Sequence, residues 1–109
     1  MRAKLFIFLG FMVAAATAAQ AAGDPIKGRQ LAETCLGCHG VPGYRYPTSP
    51  TFQVPKVGGQ HAAYIVSALQ EYKKGNRDNP TMRAQATKLT DQDMQDIAAF
   101  FEQAGQSGR

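Results

Sequence analysis

Residues 35–39 read Cys35-Leu36-Gly37-Cys38-His39, and they hold the only two cysteines of a 109-residue chain. On a helical turn, positions i and i+3 share a face. The two thiols can therefore each form a thioether to a vinyl group of one haem, and His39 follows where its imidazole can reach the iron. Cys-x-x-Cys-His is the attachment signal of a c-type haem. Two other chemistries use similar residues. A redox dithiol places Cys-x-x-Cys beside a strand of a βαβ unit, and no such unit is legible. A zinc site would take three ligands here, with His61 offered as a fourth, but structural zinc motifs come as two separated pairs. A disulfide between Cys35 and Cys38 would close a trivially short loop.

The flanks agree with a covalent haem. Arg2 and Lys4 make a short positive segment, Leu5 to Ala16 is an unbroken run of apolar residues and Gly, and Ala19-Gln20-Ala21 is a small-x-small cleavage site. This is the layout of an export signal. The run is shorter than the roughly 20 residues a spanning helix needs. The expectation is a cleaved signal peptide over residues 1–21 and a single domain over residues 22–109, with periplasmic localisation and no permanent membrane anchor. A domain of about 88 residues buries a modest core, and small domains need a stabilising addition. Exported domains usually obtain it from disulfides; here the bulk of a haem would supply it.

Composition excludes other classes. At 44% apolar and 18% charged residues, the chain is neither collagen-like nor wholly disordered. Removing Arg2 and Lys4 with the leader leaves ten basic against eight acidic residues. No Lys/Arg block stands out, so nucleic acid is not an expected partner.

The remaining pattern is all-α. Asp24-Pro25 opens a helix over residues 25–37, by N-cap and first-turn proline. From Gly40 to Gly59 the chain holds Pro42, Pro47, Pro50 and Pro55, a density that excludes helix and central strand. A loop that long in a domain this small has to wrap something. Gln60 to Lys74 is the clearest helix, with Tyr64, Ile65, Ala68, Leu69 and Tyr72 on one face and Gly75 as its stop. A short helical piece runs from Met82 to Lys88. Thr90 caps a last helix whose stripe is Met94, Ile97, Ala98 and Phe101, ended by Gly105. No alternating strand pattern is visible. The expectation is about four short helices wrapped around one haem.

The second iron ligand is left open by position alone. Met1 and Met12 leave with the signal, and Met94 reads as core filler. Met82 follows the irregular Asn79-Pro80-Thr81 turn and can reach a haem face opposite His39. His61 and an open site are the alternatives.

Three blocks resemble the class I c-type cytochromes, in particular the small periplasmic type that looks like one half of a bacterial di-haem cytochrome. They are Cys35-Leu36-Gly37-Cys38-His39-Gly40; Pro55-Lys56-Val57-Gly58-Gly59-Gln60 with Tyr64-Ile65, Leu69, Tyr72 and Gly75; and Met82 with Ala86 and Leu89-Thr90-Asp91-Gln92-Asp93-Met94. The resemblance implies one covalent haem c on Cys35 and Cys38, with His39 as proximal and Met82 as distal iron ligand. It implies that Gly28 lets the first helix cross the last against Phe100 or Phe101. It also implies that the carbonyl of Pro50 or Pro55 accepts a hydrogen bond from His39. The chain departs from shorter members in Tyr44-Arg45-Tyr46-Pro47-Thr48-Ser49. These extra residues would cover a haem edge or a propionate; Tyr44, Tyr46 and Phe52 either line the haem or form a partner patch.

The function implied is that of a soluble periplasmic carrier, not an enzyme, moving one electron between respiratory donor and acceptor proteins such as a terminal oxidase or reductase. Neutral thioether ligation favours the reduced state, so the potential should lie well above that of bis-histidine haem. The rival readings are a haem subunit of a periplasmic dehydrogenase or reductase and, ranked below it, a haem-based sensor. Residues 34–70 contain no Asp or Glu, only Arg45 and Lys56 as charges. With two propionates counted, net charge falls near zero. Electron exchange with a protein partner should therefore change little with added salt in stopped-flow measurements; a steep loss of rate would contradict this.

Overall fold

The computed structural model describes residues 23–47 and 49–105. The export signal expected over residues 1–21 lies outside the described residues, as does the tail from residue 106. The elements are α1 Pro25–Leu31, α2 Glu33–His39, β1 Arg45–Tyr46, β2 Ser49–Gln53, α3 Ala62–Lys74, α4 Pro80–Thr87 and α5 Asp91–Ala104. The expected helical class is observed, with two refinements. The first helix is bent at Ala32 into α1 and α2 and runs on to His39, so the described residues form five helices rather than about four. The proline-rich loop contains a small antiparallel hairpin, β1–β2, where no strand was expected. Its strands are short and its register shifts between Arg45 and Tyr46, so it carries no alternating hydrophobic signal to read.

Capping chemistry sets the helix boundaries. Asp24 accepts from the N–H groups of Ile26 and Lys27 at 2.9 and 3.4 Å, with Pro25 in the first turn. Thr90 and Asp93 form a reciprocal capping box, at 3.1 Å from the Asp93 N–H to Thr90 Oγ1 and 3.0 Å from the Thr90 N–H to Asp93 Oδ2. Gly75 closes α3 at φ +83°, a left-handed conformation that L side chains rarely adopt. The start of α3 is less local: the Ala62 N–H donates to Glu102 Oε2 on α5 at 3.1 Å. That is why the helix begins at Ala62 and not at Gln60.

The core is Ala32, Ile65, Val66, Leu69, Ala86, Met94, Ile97, Ala98 and Phe101, with α5 packed between α1 and α3. The stripe expected for α5 is its buried face. The expected close crossing at Gly28 is present: a Cβ at Gly28 would lie 1.8 Å from the carbonyl oxygen of Asp96, so at this point α1 rests on the α5 backbone at Asp96–Ile97.

Asp96 locks this crossing and was not singled out from sequence. Its side chain is buried. Oδ1 accepts from the Asp24 N–H at 2.8 Å and from Gln92 Nε2 at 2.9 Å, and Lys27 Nζ lies 3.7 Å from Oδ2. The Asp24 N–H, with help from Gln92 and Lys27, holds this carboxyl below the usual range. The Asp93 carboxyl is lowered by its capping bonds to Thr90. Because the folded chain binds these protons less readily than the unfolded one, their stabilisation is complete above about pH 4 and is lost as pH falls through the depressed values. Asp96→Asn should flatten the acid limb of stability against pH in denaturant titrations. Asp96→Ala should cost about 1–3 kcal/mol at neutral pH by leaving the Asp24 N–H unpaired. Unchanged stability at both pH extremes would contradict the assignment.

Candidate functional site

A cavity of about 740 Å³ lies between the helices and the proline-rich loop. Cys35, Cys38 and His39 from α2 line it, with Pro55–Val57 of the loop. Asn79, Pro80, Thr81 and Met82 line it from the start of α4. α2 and α4 do not pack on each other and face only across this space. Ile65, Leu69, Ile97 and Phe101 complete an apolar wall from α3 and α5.

His39 is oriented by one bond. Its Nδ1 lies 2.7 Å from the carbonyl oxygen of Pro55, which settles the choice between Pro50 and Pro55. A carbonyl can only accept, so Nδ1 carries a proton, and Nε2 is the nitrogen of the neutral ring that can hold the lone pair for coordination. Pro55 is itself held in place. Two residues on from Val57, the Gly59 N–H donates to the Phe101 carbonyl at 2.8 Å. A Cβ on Gly105 would fall 2.0 Å from Gly59 Cα, so the loop end and the α5 end meet glycine to glycine.

Met82 sits in the first turn of α4, not in an irregular turn. The Asn79 side chain accepts its N–H at 3.0 Å, and Pro80 starts the helix. The cap thus fixes the backbone that presents Met82 to the cavity. The other ligand candidates lie elsewhere: Met94 is fully buried in the core, and His61 is exposed and off the cavity lining.

The rival chemistries find little here. Burial, the largest influence, pushes the Cys35 thiol above its ordinary range, whereas a reactive redox dithiol needs a lowered value. Among the described residues no group of three or more His, Cys, Asp or Glu is arranged to hold a metal ion.

The charged lining is one-sided. Among the described residues Lys56 and Arg77 line the cavity, and no Asp or Glu does. Arg77 lies over the Tyr72 ring, 4.8 Å from its centroid, and the neighbouring Tyr64 side chain, the largest influence, raises its already high pKa. Nothing in the sequence around Arg77 sets it apart from the other cations of the chain. Only the left-handed turn at Gly75, which brings the chain back beside α3, puts it on the cavity. These residues fit a haem: two thiols and an imidazole on one wall, a thioether on another, an apolar interior, and cations for its two carboxylates.

The family model described as cytochrome c matches residues 26–105. Cytochrome c4 of Pseudomonas aeruginosa is 37% identical over 98 residues, covering 90% of this chain and 47% of that protein. Cytochrome c-554(548) of Halomonas halodenitrificans is 35% identical over 83 residues, covering 73% of this chain and 95% of that one. The crystal structure of reduced recombinant cytochrome c4 from Pseudomonas stutzeri superposes with a TM-score of 0.55 at 29% identity, over 74% of this chain and 50% of that chain. The chain thus spans about half the length of the cytochrome c4 proteins it matches. No helix among the described residues is long and apolar enough to cross a membrane.

The loop end is the most sensitive backbone point. Gly59→Ala would place a side chain at φ +87° and 3.2 Å from Gly105 Cα, costing about 1–3 kcal/mol. Gly58→Ala meets only Ala104 Cβ at 4.0 Å and should be near neutral. Thermal unfolding by circular dichroism separates them; equal melting temperatures would contradict the pinning of the loop.

Proposed function

The chain belongs to the cytochrome c family, which carries one covalent haem c per domain of this size, and we propose that it is a single-haem periplasmic electron carrier with His39 and Met82 as its iron ligands. Cys35 and Cys38 hold the haem through thioethers. Residues 1–21 are a cleaved export signal, and residues 22–109 are the working domain. The observation that carries the reading is the cavity that receives Cys35, Cys38 and His39 from α2 and Met82 from α4, two elements joined by no direct packing.

When bound, the haem supplies a one-electron Fe(III)/Fe(II) couple. The protein does the rest. The Pro55 carbonyl holds the His39 proton on Nδ1, which frees Nε2 to coordinate and makes the imidazole a stronger donor. Met82 adds a neutral, soft ligand that favours the reduced metal. Ile65, Leu69, Ile97 and Phe101 would keep water from the haem, and Arg77 and Lys56, which line the same cavity, would balance its carboxylates. His39 and Met82, each held on a helix, would ligate the iron without moving, so electron transfer would need little rearrangement of the protein. Redox proteins serve as donor and acceptor.

Reduced holoprotein should not bind carbon monoxide at neutral pH, whereas Met82→Ala should bind it and show a lower midpoint potential. A Met82→Ala protein with unchanged potential and no affinity for carbon monoxide would overturn the ligand assignment. Carbon monoxide binding to the unmodified protein would favour a sensor instead.

A further inference from the structure

Between His39 and Pro55, both on the cavity, the chain passes through Tyr46, Phe52, Gln53 and Val54, which line the same space. The 2.7 Å bond from His39 to Pro55 ties the two ends together, so the imidazole is the base of a closed excursion. Within it, β1 pairs with β2 with Arg45 opposite Gln53, and the Val54 N–H donates to the Tyr44 carbonyl at 2.8 Å. The Arg45 guanidinium reaches the Thr51 carbonyl at 3.4 Å. Beyond this ladder, among the described residues, the hairpin backbone comes close to none of the helices, and a two-stranded hairpin without a third surface is marginal in water.

Its aromatic side chains indicate where that surface is. Tyr46 and Phe52 both line the cavity, yet they are 37% and 73% exposed to solvent within the protein alone. The apolar surface that these two rings leave uncovered therefore borders the same space as Cys38 and His39. Isolated exposed hydrophobes are ordinary, but two on one unsupported hairpin, both at the mouth of one cavity, share a single explanation.

We propose that Tyr46 and Phe52 are haem-contacting residues, and that the hairpin is a shield over the His39 side whose third packing surface is the haem itself. This rests on the haem reading of the cavity. It assigns the hairpin to cofactor shielding rather than to partner docking. Apolar cover excludes water from that edge and disfavours the oxidised, more highly charged site, so the shield raises the potential.

The test is nuclear magnetic resonance of the reduced holoprotein, with carbon monoxide added if the iron is high-spin. Phe52 ring protons, assigned against Phe52→Leu, should be displaced by the haem ring current, and Phe52→Ala should lower the midpoint potential while keeping the iron–thioether absorption band. Ring protons at ordinary aromatic positions, with the potential unchanged in Phe52→Ala, would overturn the proposal. Slower exchange with a protein oxidant in that same variant would then make Phe52 a docking anchor. If Phe52→Ala fails to retain haem, the ring-current measurement on the unmodified protein still decides. That reading needs bound haem but not Met82 ligation, so failure of the shield and failure of the His39–Met82 assignment are distinguishable.

Discussion

The hydrogen bond from His39 Nδ1 to the Pro55 carbonyl, at 2.7 Å, is the constraint on which the site depends. It joins the last residue of α2 to the far end of the wrapping loop and sets the proton of the ring. Proline suits the acceptor position. It has no N–H to donate to a ladder, so pairing of β2 cannot continue through it, and its fixed φ limits how the chain leaves the hairpin. One contact thus settles the tautomer, the loop closure and the end of the sheet.

That contact can be held because the frame behind it is stiff. α1 and α5 cross with backbone against backbone at Gly28 and Asp96, and the buried Asp96 carboxylate fastens the start of α1 to the middle of α5. α5 also receives the loop end through Gly59 and caps α3 through Glu102. The same helix therefore positions both sides of the cavity: α2 through α1, and α3 through its N-terminus. α4 needs less support, since Asn79 and Pro80 define its first turn and Met82 comes with it.

Much of this was legible in the sequence, for physical reasons that differ by residue. Cys35, Cys38 and His39 carry a spacing with few other uses. Asp24, Thr90, Asp93 and Gly75 are local caps, and each ends or starts its helix as its chemistry dictates. What escaped depends on distant parts of the chain. Asp96 lies within an apolar stripe and is explained only by α1 above it. Glu102 caps a helix forty positions earlier. Arg77 resembles any surface cation until the turn at Gly75 folds it back over Tyr72. The hairpin is too short, and too rich in proline, to announce itself by alternation.

The central claim is that one imidazole and one thioether hold the iron in a closed, apolar site. The most direct measurement is the optical absorption spectrum of the purified holoprotein, oxidised and then reduced. The account predicts sharp low-spin bands of a covalent haem, together with the weak far-red band of iron–thioether ligation in the oxidised protein. A high-spin spectrum, or a low-spin one lacking the far-red band, would contradict it.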